Sequence, residues 1–563
     1  MPRSSPDDVT VVELKGLRPA PAAAPRARGL KAGPRGARRA PVVPDIGATL
    51  AKSLGGQDLE LAKEITFIRE PTPPAKPKAK RARGLKRAAA PVGDDRAALT
   101  LNVALADGED ALILLEEDGV FSWHVQGEDV TPPAARHAML RQRATTGRRP
   151  STTTARQRVK RFALSLPPAP AAAPEPARGK AVAGRKRGLG SFIAKTIVGQ
   201  VTARVFRFVA GKIVGPIIDH MERNVRTGMV KIADVDCTKW RLMDDSEQLE
   251  LPKDRPARVL LWVHGTFSST MGAFGGLSQT AHGKALLKAA LKKYDAVIGF
   301  DHATLSVTPM QNATDLLARL ERQKWPKPPV FSAVSHSRGG LVFRSLVEAA
   351  LPVSNFKYAV DRAVFVACTN AGTELARRKN WDRMIDRYTN LAAGASKAIG
   401  LLTGTIAGAK ILGEAIRGVG AFVKALAVAA LDDNKVPGLE AMDPAGAFVR
   451  QLNDLQAGQP QPEGSFYCVM TSNFDPATAQ RNGSTPEFPP AWWMRLGQKP
   501  VDELMGREND LVVDVDSMSE IDTSVGDFIK DRFDFGTNGA VYHTNYFLQK
   551  GTSIELTDWL QLQ

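Results

Sequence analysis

From residue 227 to its end the sequence predicts an α/β fold: a mostly parallel sheet with helices on both faces and a helical insertion. Three observations lead there. Apolar runs such as RVLLWVHG, AVIGF and PVFSAVSHS alternate with amphipathic stretches such as AHGKALLKAALKKY and NATDLLARLERQKW. That alternation is the pattern of strand–helix–strand units. The runs are almost continuously apolar, as strands buried on both faces are. One of them passes directly into SHSRGG and then a helical pattern, so a serine sits at a strand-to-helix turn.

Composition narrows the class. The 563 residues are 43% apolar and 24% charged, near the globular average. Three scattered cysteines, Cys237, Cys368 and Cys468, exclude a disulfide scaffold or a Cys-rich zinc module and suit a reducing compartment. No apolar run reaches the ~18 uncharged residues of a spanning helix, and the first residues have no apolar signal core. A cytoplasmic protein, with peripheral membrane contact as a further reading, is the expectation.

Charge is uneven. Residues 1–190 carry 34 Lys and Arg against 19 Asp and Glu, whereas the remainder carries 42 against 40. The same front segment holds 21 of the 38 prolines. Residues 1–92 therefore read as a disordered basic Pro/Ala-rich region that buries too little apolar surface to offset chain entropy. A short repeat recurs there and beyond: ARGLK at 27–31 and 82–86, KRGLG at 186–190. It reads as compositional drift or as a docking motif for an acidic partner.

Residues 93–165 read as a small β-rich module. ALTLNVAL, ALILLEE, VFSWHV and RVKRFALSL are rich in branched and aromatic residues, and Asp118-Gly119 is a hairpin signal. Residues 166–187 form a Pro/Ala linker. Residues 188–226 read as a basic apolar helix with Lys195, Arg204, Arg207 and Lys212, ended or kinked by Pro216. It would dock on the core or lie on an anionic membrane. Nucleic acid is not expected, because the basic front has few aromatics to stack on bases.

Within 227–563 the predicted strands continue through RAVFVACTN, SFYCVMTSNF, DLVVDV and AVYHTNYF. Residues 389–436 form a Gly/Ala-rich insertion with sparse charges. It reads as a lid or cap, a core insertion, or a membrane hairpin.

The chemistry centres on Ser337. A serine at a strand-to-helix turn occupies a strained conformation and needs small neighbours. Gly339 and Gly340 supply them after it, and Ser335 stands where G-x-S-x-G has its first glycine. Upstream, LLWVHGTFSST ends a strand in His264-Gly265. This resembles the oxyanion loop of lipases and esterases, which implies that a backbone N–H from Thr266 or Phe267, with that of Arg338, would stabilise an oxyanion. His264 itself reads as structural. Of eight histidines, His543 alone follows Ser337, where the resemblance of this turn to the α/β-hydrolase nucleophile turn, with its chain order Ser, acid, His, implies one. The acid lies between them. Asp510, in NDLVV, is the choice because Asp-Leu-Val-Val resembles the acid loop of lipases, with Asp514 a distant second and Asp475 the other candidate. Asp510 would orient His543, and His543 would take the Ser337 proton.

VHGTF, GFDHAT, SHSRGG, VPGLEAMDPAGAFVRQLN, NDLVV and YHTNYF together make residues from about 255 onward resemble an α/β-hydrolase of the lipase/esterase kind, similar to the bacterial PGAP1-like group. The resemblance implies the α/β-hydrolase fold with a lid. It also implies a serine hydrolase that cleaves carboxylic esters, lipid-like ones above all, through an acyl-enzyme. Two readings stay open beside it: acyl transfer or thioester or amide cleavage on the same fold, and a degenerate hydrolase body docked by its basic tail. No metal-ligand cluster or nucleotide motif stands out, and no cofactor is expected.

Overall fold

The computed structural model describes residues 8–21, 47–48, 51–52, 59–70, 97–130, 158–166, 199–209, 222, 225–403, 413, 423, 436–454, 465–475, 478, 507–522 and 528–562. The chain divides into two units, residues 1–39 with 58–212 and residues 40–57 with 213–563. The short repeat and most of the linker lie outside the described residues.

The first unit is built from two antiparallel sheets. One has the order β1-β4-β8-β7, from Val9–Lys15, Ala98–Leu105, Arg158–Ser165 and Glu128–Val130. The other has the order β2-β3-β9-β5-β6, from Leu17–Pro19, Glu60–Arg69, Gln200–Val209, Glu109–Glu117 and Val120–His124. Alternate residues of β4 face inward, and Leu99, Leu101 and Val103 share a core with Phe162, Ile113, Val201 and Val205. Alternation with period two is what a strand needs to present one apolar face.

Two expectations are corrected here. The region read as disordered, 1–92, contains β1, β2 and β3. The region read as a helix, 188–226, contains β9, the centre of the five-stranded sheet. Val201, Ala203 and Val205 of β9 face the shared core. Arg204 lies on the other face, where its guanidinium meets Glu64 of β3 at 2.7 Å and Glu116 of β5 at 2.6 Å. Arg204, one of the four cations that suggested a membrane-surface helix, is thus neutralised across strands. Those partners lie 140 and 88 residues away in sequence, beyond any local pattern.

The second unit has the α/β-hydrolase fold. Its eight-stranded sheet has the order β11-β10-β13-β12-β14-β15-β16-β17. The strands are β10 (Gly228–Lys231), β11 (Arg241–Leu242), β12 (Arg258–Val263), β13 (Ala296–Asp301), β14 (Val330–His336), β15 (Ala359–Val366), β16 (Phe466–Phe474) and β17 (Ile529–Asn538). All pairings from β13 to β17 are parallel, and β10 and β11 add an antiparallel edge. The flanking helices include α1 (Ala281–Lys293), α2 (Pro309–Glu321), α3 (Gly339–Arg344), α4 (Trp381–Thr403) and α5 (Lys550–Trp559). The start of α2 is set by a capping box between Thr308 and Gln311, with Pro309 in its first turn.

The connection from β12 leads to β13 on one side, whereas β14 lies on its other side. A crevice opens at the carboxyl ends of strands where the order reverses in this way. Ser337 follows β14 and His264–Phe267 follow β12, so both line that crevice. Leu261, Ile298, Ala333, Phe343, Phe365 and Val469 pack beneath it.

Three local expectations differ. DLVVDV is a tight loop with a single bridge between Asn509 and Asp514. AVYHTNYF is a loop ending in a 3₁₀ turn, Tyr546–Leu548. The last strand is instead IKDRFDFGTN, an edge strand with exposed charges, which an apolar-run criterion passes over. Of the insertion 389–436, residues to 403 continue α4. Most of 404–435 lies outside the described residues. Among the described residues, no helix is long and apolar enough to cross a membrane.

Candidate functional site

Ser337 has φ +55°, in the left-handed region that a non-glycine residue rarely adopts. Its N–H donates to Val366 O at 3.1 Å, and its carbonyl accepts from Gly340 N at 3.1 Å. Such strain, of order 1–3 kcal/mol, persists only where surrounding contacts over-determine it. The glycines explain how. A Cβ on Gly339 would lie 2.2 Å from Val263 O, and one on Gly340 would lie 2.7 Å from the Cys368 side chain. A Cβ on Gly265 would meet the Ser337 Cβ at 2.5 Å. Ser335 is tolerated because its hydroxyl donates to Val364 O at 3.2 Å within the sheet.

The structure brings Ser337, His543 and Asp510 together. His543 Nε2 lies 2.9 Å from Ser337 Oγ, and His543 Nδ1 lies 2.8 Å from Asp510 Oδ2. All three are at most 2% exposed. The loop carrying Asp510 wraps around its carboxylate: Oδ1 accepts the N–H groups of Val512 at 3.1 Å and Val513 at 2.9 Å. The Tyr546 hydroxyl donates to Oδ2 at 3.3 Å. Asp510 O accepts the His543 N–H at 3.0 Å, so backbone and side chain both fix the pair.

The other acids lie elsewhere. Asp514 is buried, its Oδ1 has no hydrogen-bond partner, and burial pushes its carboxyl up to about 6. Asp475 accepts from the Thr478 hydroxyl at 2.7 Å. His264 is fully buried and stacks on His302, with ring centroids 4.1 Å apart. Its Nδ1 donates to Gly265 O at 2.9 Å and its Nε2 accepts from the His302 N–H at 3.2 Å. It shapes the turn after β12.

Phe267 also has positive φ, +59°. Its N–H donates to Thr304 Oγ1 at 3.3 Å. Thr266 instead turns its hydroxyl to Met442 Sδ at 3.5 Å. The Arg338 guanidinium is fully buried, donates from Nε to Gly438 O at 3.2 Å, and is held down to about 10 by burial.

Sequence reasoning missed Tyr388. Its ring packs nearly perpendicular to Phe267 at 4.8 Å and to His543 at 6.2 Å, and its hydroxyl faces the Ser337 side chain. The neighbouring Arg387 donates to Leu511 O in the Asp510 loop. Thus α4 covers the crevice and is tied to two of its walls. A lone tyrosine in a helical stretch carries no local signal of this. Among the described residues, no group of three His, Cys, Asp or Glu side chains is placed to hold a metal ion.

Residues 227–561 match the family model of a domain of unknown function, DUF7379. Residues 72–208 match a second domain of unknown function, DUF7362. No curated protein matches the sequence. Among solved structures, the chain is similar to phospholipase PlaB from Legionella pneumophila, at 13% identity and TM-score 0.26, covering 46% of this chain and 45% of that one. It is similar to lipase 1 from Pelosinus fermentans, at 12% identity and TM-score 0.31, covering 54% and 99%. It is also similar to an esterase from Pyrococcus furiosus, at 11% identity and TM-score 0.26, covering 60% and 90%. The chain spans less than half the length of the phospholipase it matches.

Proposed function

We propose, for a chain that belongs to the DUF7379 family of unknown function, that it is a serine hydrolase cleaving carboxylic esters. The observation that carries this is the unbroken hydrogen-bond chain Ser337–His543–Asp510, at 2.9 and 2.8 Å. His543 Nε2 accepts the Ser337 proton as Oγ adds to the ester carbonyl. The imidazolium is stabilised by Asp510 and then protonates the leaving alkoxide. Water, deprotonated by His543, releases the acid from the acyl-serine and restores the hydroxyl. The N–H groups of Phe267 and Arg338 would hold the oxyanion, and removing one such donor typically costs ~10²–10³ in rate.

The apolar underside of α4, with Ile385, Tyr388 and Leu391 buried, favours lipid-like acyl chains. On this reading α4 opens the insertion that acts as lid, and the chain sits with the bacterial PGAP1-like lipases. Thioester, amide or acyl-transfer chemistry would use the same residues. The basic front still favours contact with an anionic membrane surface, without the basic apolar helix expected at 188–226.

Fluorophosphonate labelling of wild type beside Ser337→Ala, followed by p-nitrophenyl esters of increasing chain length, tests the proposal. Labelling that vanishes with the substitution, and turnover that rises with chain length, is expected. Absence of labelling in folded protein, with and without anionic liposomes, would overturn it.

A further inference from the structure

The geometry points to Glu222 as a positioning residue: its carboxylate sets the loop after β13 that holds the Phe267 N–H where an oxyanion forms. This rests on the hydrolase reading above.

Glu222 is buried, and five hydrogen bonds converge on it. Oε1 accepts the N–H of Thr304 at 2.6 Å, the N–H of Leu305 at 2.9 Å and the Thr304 hydroxyl at 3.4 Å. Oε2 accepts the Ser306 N–H at 2.7 Å and the Ser306 hydroxyl. Three successive N–H groups around one anion lock a loop as a backbone nest does.

The consequence passes through Thr304. A carboxylate accepts hydrogen bonds, so the Thr304 proton points to Glu222 and an Oγ1 lone pair is left facing Phe267. The Phe267 N–H donates to that lone pair at 3.3 Å. This bond fixes the direction of an N–H in a residue held at φ +59°. At 3.3 Å the bond leaves room for a substrate oxygen to share the same N–H in a three-centre arrangement, with the peptide plane staying where the Thr304 hydroxyl sets it.

The far end of the loop is held by the other oxyanion residue. Arg338 Nη2 donates to Val307 O at 2.5 Å. Residues 304–307 are therefore clamped between a carboxylate on their N–H side and a guanidinium on their carbonyl side. The Glu222 charge also opposes that of the buried Arg338. Gly438 closes the third side: its N–H donates to Leu305 O at 2.9 Å, and a Cβ there would lie 2.0 Å from Thr304 O.

The test uses the full chain and the best p-nitrophenyl ester, with Thr304→Val, Thr304→Ser, Glu222→Gln and the double variant Glu222→Gln/Thr304→Val. Thr304→Val is expected to lower kcat about 10- to 100-fold with KM within about threefold, because a misaimed donor is lost only in the transition state. Thr304→Ser, which keeps the hydroxyl, is expected to restore kcat to within about threefold. Glu222→Gln is expected to lower kcat comparably, and the double variant no further than the worse single one. Turnover by Thr304→Val equal to or above wild type would overturn the inference, since the hydroxyl would then merely compete with substrate. So would losses that multiply in the double variant. Should Glu222→Gln not fold, the Thr304 pair decides alone. A wild type that neither labels nor turns over any ester overturns the hydrolase reading itself and this inference with it.

Discussion

His336 Nε2 donates to the backbone carbonyl of His543 at 2.9 Å, so the residue before Ser337 holds the loop that carries the imidazole facing that serine. The other nitrogen, Nδ1, is buried without a partner. A proton there would create a buried cation whose new N–H has no acceptor.

Acid lability follows. Burial pushes His336 down to about 3 and His264 down to about 4. The unfolded chain takes up protons near pH 6.5 that the folded chain refuses. These groups therefore stabilise the fold fully above about 6.5, and the stability is lost as pH falls toward the folded values. Thermal unfolding between pH 8 and 5 is expected to show a falling Tm. His336→Gln, whose amide can still donate to His543 O, is expected to flatten the slope. An unchanged slope would exonerate His336.

Asp510 and Asp514 should separate sharply. In Asp510→Asn the amide can present the wrong partner to His543 Nδ1, and kcat is expected to fall by roughly 10³–10⁴ with the fold retained. His543 Nδ1 is bonded to Asp510 and not to Asp514, so Asp514→Asn is expected to keep kcat within about threefold. Its Tm at pH 8 should not fall below wild type, since burial already opposes the Asp514 charge. Steady-state kinetics with a melting curve for each variant checks both.

Arg344 is a stability residue. It is fully buried at the end of α3, with Nε 3.1 Å from Glu348, Nη2 3.3 Å from Asp522 and Nη1 2.7 Å from Asn453 Oδ1. Arg344→Met strands two buried carboxylates, which typically costs about 3–5 kcal/mol. Tm is expected to drop on the order of 10 °C. Adding Glu348→Gln and Asp522→Asn should recover part of the loss, and no recovery would contradict the charge argument.

Gly339→Ala should damage stability and labelling together. Its Cβ would press on Val263 O and on His264 O, at 2.2 and 2.7 Å, and these backbone atoms lead into Gly265–Phe267. Overpacking of this kind costs about 1–3 kcal/mol. Fluorophosphonate labelling is expected to slow at least tenfold in the folded variant, as measured by the rate against active-site concentration.

The sequence by itself determined the α/β character and the central strands of the second unit, the turn that bears Ser337, the small residues around it, and the place of His543 after it. These are carried by local periodicity, by glycine at crowded positions and by chain order. The sequence ranked Asp510 above Asp514, and the tertiary structure separated them: both are buried in one short acidic loop, and its fold aims Asp510 at His543. Only the tertiary structure decided that β9 is a strand, since the acids that neutralise Arg204 come from two distant strands. The same holds for Tyr388 over the crevice and for Glu222 beneath Thr304, 82 residues apart in sequence. Such pairings form when separate segments are packed together, and no local pattern records them.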